Sequence, residues 1–147
     1  MKTVSPRYRQ RFCVHGHSVR NLISSVVLRA PTLVDAAPAD GHHVVLDEVW
    51  THRGHRGRGL VSGLLRLALE SASRDGWAVY CRPVAHDGGP GPGQAQLELF
   101  YRRRGFEPTA AGWFVRPPNL LLYALSVSGP FRRAATRQRC CNWALRR

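Results

Sequence analysis

Residues 52–59, His52-Arg53-Gly54-His55-Arg56-Gly57-Arg58-Gly59, contain only arginine, histidine and glycine. Glycines let a backbone approach a ligand closely and adopt conformations closed to other residues. Arginine binds phosphate oxygens in pairs of hydrogen bonds. The helical pattern that follows begins at Leu60, and a helix N-terminus directs unpaired N–H groups and about half a positive charge at whatever lies there. The chemistry these residues suit is the binding of a phosphate or pyrophosphate. No Gly-Lys-Ser/Thr follows, so this is not a Walker-type loop. Gly57-Arg58-Gly59 begins like a dinucleotide-binding fingerprint but does not complete it. Arginine–glycine runs also occur in flexible RNA-binding segments. Placement between a strand and a helix favours the phosphate reading.

The flanking elements would position that turn. Residues 44–51, rich in Val, Trp and Thr, read as a half-buried strand. Leu60, Leu64, Leu67, Ala68 and Ala72 recur at helical spacing, and Asp75-Gly76 supplies a stop. Residues 77–81 read as a second strand, 87–93 as turn chemistry, and 94–104 as a second helix ended by Gly105. Residues 106–108 and 113–116 read as two more strands. This order implies an α/β sheet with parallel crossover units. Residues 21–30 fit a strand or a helix, and 31–42 read as a loop. An apolar run at 120–123 precedes a basic tail, and no internal repeat is seen.

Two segments in order resemble one family. Residues 48–62 resemble the acetyl-coenzyme A motif of the GCN5-related N-acetyltransferases (GNAT), whose pattern is (Gln/Arg)-x-x-Gly-x-(Gly/Ala). Arg56 and Gly59 match, and Val61 departs from the final Gly/Ala. Downstream, Tyr101-Arg102-Arg103-Arg104-Gly105-Phe106 resembles the family's Tyr-x-x-x-Gly-Phe segment, and residues 112–116 resemble its last strand. The resemblance covers residues 43–117. It implies a single GNAT-like α/β (α+β) domain over residues 1–117, with a basic C-terminal extension at 118–147. The sheet would be mixed and mostly antiparallel, flanked by helices, with a central parallel pair splayed at the cofactor site.

The resemblance also implies a reaction. An amine acceptor would attack the thioester of acetyl-CoA directly. Arg56, Gly57, Arg58, Gly59, Leu60, Val61 and Ser62 would cradle the pyrophosphate. Val49, Trp50 and Thr51 would hold the pantetheine arm, and Gln94 stands where the family often has a cofactor-contacting Asn. Glu48 matches the carboxylate used as base, and Tyr101 the tyrosine used as general acid. Strand alternation predicts that only one of Asp47 and Glu48 faces the cleft. Val61 raises the alternative of a non-catalytic GNAT-like module, since a β-branched side chain there could crowd the pyrophosphate.

Only about 43 residues precede the cofactor strand, so the acceptor-binding front part is expected to be shortened. Charge is the remaining clue to the acceptor. The 147-residue chain has net charge +13, and Lys2 is its one lysine. Residues 1–42 carry +4, residues 43–116 carry +3, and residues 117–147 carry +6 with no acid. A basic protein draws polyanions. The expected acceptor is therefore an aminoacyl-tRNA, a nucleic acid or an acidic protein, with a small amine as another fit. A nucleic-acid-binding basic protein is the competing class, since the tail interleaves arginine with Phe131 and Trp143.

At 44% hydrophobic the chain can build a core, which excludes whole-chain disorder. No apolar run approaches the ~20 residues that span a bilayer. The basic start lacks a secretory apolar region. Cys13, Cys81, Cys140 and Cys141 show neither a disulfide framework nor zinc-ligand spacing. The expectation is a cytoplasmic protein with reduced thiols, no metal and no membrane partner. A homodimer is compatible with it.

Overall fold

The computed structural model describes residues 2–18, 20–38, 40–85 and 91–128. Strands β1 (Arg9–His15) and β2 (Leu22–Arg29) form a hairpin in which Arg9 faces Arg29 and His15 faces Leu22. Its loop is closed by Gly16 N donating to Asn21 O at 2.8 Å. β2 then pairs antiparallel with β3 (His43–Thr51). The segment 21–30, which fits either element on sequence, is thus a strand. Its Val26, Val27 and Leu28 are wholly buried in the sheet, and β-branched residues suit that pleated setting.

A one-turn 3-10 helix, Arg53–His55, leads into α1 (Leu60–Asp75). α1 buries Leu64, Leu65, Ala68, Leu69 and Ala72 against the sheet. Each fully buried leucine contributes roughly 1.5–3 kcal/mol. Gly76, in the left-handed region at φ 78°, ends the helix by donating its N–H to Ala72 and Ser73 carbonyls. β4 (Ala78–Cys81) returns parallel to β3. α2 (Gln94–Arg102), the short β5 (Glu107–Pro108), β6 (Phe114–Arg116) and α3 (Leu120–Ser128) complete the described chain.

The sheet order is β1-β2-β3-β4-β6-β5. The crossover units read from element order hold only once, at β3–α1–β4. After α2 the chain does turn back, but two-residue β5 lies at the edge. Residues Ala110–Gly112 then turn β6 in between, antiparallel to both β4 and β5. The result is the mostly antiparallel sheet with one parallel pair that the family resemblance implies.

Helices α1, α2 and α3 line one cleft together, which puts them on the same side of the sheet. The core on that side joins Val26, Leu28, Val44 and Leu46 to the α1 leucines, Trp77, Tyr101, Phe106 and Phe114. α3 begins inside the expected C-terminal extension, yet it packs on α1. On the sheet's other face Asp35, shortly after β2, takes two bonds from Arg29, at 2.6 and 3.0 Å. The expected turn at 87–93 and the basic tail from 129 onward lie largely or wholly outside the described residues.

Candidate active site

β3 and β4 pair only from His43 to Val45. Beyond Val45 the two strands have no common register, so the C-terminal half of β3 has an open edge. Which backbone groups face that edge follows from the β2–β3 ladder. His52 N donates to Ile23 O at 2.7 Å, and antiparallel pairs alternate between bonded and non-bonded. Residues 48, 50 and 52 therefore spend their backbone groups on β2. Val49 and Thr51 turn theirs toward the gap, and Thr51 O accepts from Arg56 Nε at 3.5 Å. Trp50, expected among the cofactor contacts, has its backbone on β2 and its ring exposed on the sheet face opposite α1.

The gap runs into the glycine-rich turn. Gly57 and Gly59 both have positive φ, 76° and 72°, and a Cβ at either position would meet nothing within 4 Å. Gly59 is the N-cap of α1 and offers no side-chain cap, and the first turn of α1 holds no acidic residue. The leading N–H groups of α1 at Leu60, Val61 and Ser62 are thus left for an anion. Arg53 and Arg58 are exposed and carry no ion pair among the described residues. Val61 is half-buried on the first turn of α1. An open cradle, uncapped donors and surplus cations fit a pyrophosphate.

A β-bulge changes the carboxylate geometry expected from strand alternation. Val27 faces Glu48 and Leu28 faces Leu46, so Asp47 is an extra residue in β3. Both carboxylates therefore reach the face opposite the helices, and the expectation that only one would do so is corrected. Asp47 pairs with Arg9 at 3.2 Å and Arg29 at 2.7 Å. Glu48 Oε1 accepts from the Ser25 hydroxyl, and Oε2 lies 3.7 Å from Arg11 Nη2.

Tyr101 sits on α2 at 6% exposure, edge-on to Phe100 and Phe106 at 5.3 and 5.4 Å. Burial, then the nearby Cys81 at the end of β4, push its phenol above the ordinary range. It is protonated at neutral pH, and its hydroxyl has no hydrogen bond among the described residues. Burial alone raises the Cys81 thiol to about 12. Gln94, at the start of α2, spends its amide locally. Its Oε1 accepts from Ala85 N, and its Nε2 donates to Pro83 O and Glu98.

Three residues join the site that motif reading did not single out. Arg104 Nη2 donates to Ser62 Oγ at 2.8 Å, and its guanidinium stacks on Phe100 at 3.5 Å. It carries a cation from the end of α2 to the first turn of α1. Ser25 and Arg11 hold Glu48. Only the register of three strands brings these side chains together, and no spacing in the chain signals it. A cleft of about 960 Å³ continues from Ser62 between α1, α2 and α3, lined by Arg66, Phe100, Arg103, Arg104 and Arg116. Among the described residues no cluster of three or more His, Cys, Asp or Glu is placed to hold a metal. None of their helices is long and apolar enough to cross a membrane.

No protein-family model and no curated sequence matches the chain. Its fold has solved counterparts. A GNAT-family acetyltransferase from Staphylococcus aureus Mu50 superposes with a TM-score of 0.54 at 14% identity, over 74% of this chain and 67% of that one. AtaTR bound with AcCoA superposes with a TM-score of 0.56 at 13% identity, over 80% and 71%. An acyl-CoA N-acyltransferase from Pseudomonas aeruginosa gives 0.50 at 23% identity, over 67% and 63%. The chain has a GNAT-like fold.

Proposed function

We propose that the protein transfers an acetyl group from acetyl-CoA to an amine. The observation that carries this is the parting of β3 from β4, which ends on the uncapped, glycine-led N-terminus of α1. The GNAT-like fold, found in a structure with AcCoA bound, supports it. The N–H groups of Gly57 to Ser62, with Arg56 and Arg58, hold the pyrophosphate. Val49 and Thr51 hold the pantetheine arm in place of a missing strand partner. Arg104 and the cleft beyond Ser62 receive the nucleotide end. Gln94 shapes the loop beside the arm.

Bound there, acetyl-CoA supplies an acetyl thioester. Glu48, directly or through water, takes the proton that the amine loses as its nitrogen bonds to the acetyl carbon. Tyr101 gives its proton to the sulfur as the carbon–sulfur bond breaks. An excess of acetyl-CoA should raise the melting temperature, and free thiol should appear only when an acceptor amine is present. No thermal shift at millimolar acetyl-CoA refutes the transferase reading. Salt-sensitive RNA binding without a thermal shift would favour the binding-module alternative.

β1 and β2 are joined by the loop at 16–21, with no helix among the described residues before β3. Among the described residues this leaves the end of the sheet face that carries Arg11, Glu48, Trp50 and His52 open to a large acceptor. With the chain's charge, this supports a polyanionic acceptor, as an aminoacyl-tRNA, nucleic acid or acidic protein would be.

A further inference from the structure

Among the described residues, the carboxylates of the proposed acceptor face, Asp47 and Glu48, are both engaged. Asp47 is clamped between Arg9 and Arg29. Glu48 accepts the Ser25 hydroxyl, from a serine with no solvent exposure, and faces Arg11. Two nearby imidazoles each spend one ring nitrogen locally, while His15 Nδ1 is buried without a partner among the described residues. His52 Nδ1 accepts from Gly54 N at 3.3 Å, and His15 Nε2 lies 3.2 Å from Cys13 Sγ. Arg53, exposed and without an ion pair among the described residues, follows β3, and no acid falls between residues 49 and 69. Among the described residues, an alkylammonium arriving here meets Arg9, Arg11, Arg29 and Arg53 against two carboxylates that are both already shared. Such a surface neither attracts a strongly basic amine nor strips it of its proton.

We propose that the acceptor nitrogen is an α-amine, as at a peptide N-terminus or on an aminoacyl ester, and not a lysine-type ε-amine. The proposal rests on the transferase reading and names the acceptor class for that site. An α-amine, with a pKa of about 7.7–8.0 against about 10.4 for lysine, holds a neutral fraction a few hundredfold larger near pH 7.5. It reaches the face able to attack. Glu48 then takes only the proton released as the carbon–nitrogen bond forms, while the carbon–sulfur bond breaks and the sulfur takes the Tyr101 proton. Arg11 is the positioning residue, because it holds Glu48 in a paired state.

The test uses the full chain, acetyl-CoA and three acceptors at pH 7.5. They are a lysine-free peptide with a free N-terminus, an N-terminally blocked peptide with one lysine, and an aminoacyl-tRNA. Mass spectrometry locates the acetyl group. The expected result is kcat/KM at least a hundredfold higher on an α-amine than on the lysine. Equal or better use of the lysine overturns the proposal, and so does acetylation of none of the three. If acetyl-CoA also fails to raise the melting temperature, the transferase reading falls with it. Arg11→Met, at an exposed position, should narrow the α-to-ε preference by about tenfold. An unchanged ratio removes Arg11 from the account.

Discussion

Replacing Gly59 with Asp places a carboxylate at the mouth of the proposed pyrophosphate cradle. The substitution separates binding from folding. A Cβ at residue 59 meets no atom within 4 Å, so packing is not disturbed. The positive φ of 72° strains an L-residue, by about 1–2 kcal/mol and less for Asp, which visits this region more readily. A carboxylate at the positive end of α1 returns about 0.3–1 kcal/mol. Without ligand, stability should therefore hardly move.

With ligand, two like charges about 5 Å apart repel by roughly 1–3 kcal/mol at effective dielectrics of about 80 to 20. That is an affinity loss of roughly five- to a hundredfold. Acetyl-CoA at about 100 times its Kd adds about 2.7 kcal/mol to the parent, or roughly 5–11 °C for a chain of this size. At the same concentration and a thirtyfold weaker Kd, Gly59→Asp should gain only about 2–3 °C. Calorimetric titration gives Kd directly, and thermal melts give both shifts. An unchanged Kd refutes the placement of the phosphate at α1.

Tyr101→Phe should lower kcat roughly a hundredfold with acetyl-CoA affinity nearly intact, read by thiol release and calorimetry; an unchanged kcat removes the acid role. Gly63→Ala lies inside α1 with open space at its Cβ. It should stabilise by about 0.5–1 kcal/mol, and a lower melting temperature would contradict the helix assignment. Phe106→Ala should cost about 3–5 kcal/mol in denaturant melts, since the ring is 2% exposed. Arg29, then Thr32, hold the Asp35 carboxyl down at about 2 against an ordinary 3.8. A depressed carboxylate stabilises the fold above its unfolded value and loses that contribution as pH falls through its folded one. Asp35→Asn should therefore destabilise at pH 7 and match the parent near pH 2, and an equal deficit at both would assign the effect to packing.

The strand, turn and helix around residues 44–72 are legible in the chain because each depends on near neighbours. β-branched residues, three glycines and a leucine repeat settle them locally. β1 also carries a signal, since Phe12 and Val14 alternate with Arg11 and Cys13, but two arginines and a glutamine dilute it. α3 reads as an apolar run with no clear period because Leu120, Leu121, Leu125 and Val127 are apolar yet stay exposed. The bulge at Asp47 leaves no mark in the sequence, for it arises from the register between β2 and β3. The same holds for the site. Its phosphate turn is a local motif, whereas the partners of Glu48 and the reach of Arg104 to Ser62 depend on side chains that only the finished sheet assembles.

The short loop between β1 and β2 bears on how the reaction stays dry. No helix among the described residues precedes β3 to cover Glu48 and Trp50, so a thioester held there as proposed would lie beside a wet sheet face. The acceptor must itself serve as the lid. A bulky one would expel solvent as it lands, so that turnover rises with acceptor size even at a fixed amine. Small amines would leave the face wet and would turn over more slowly.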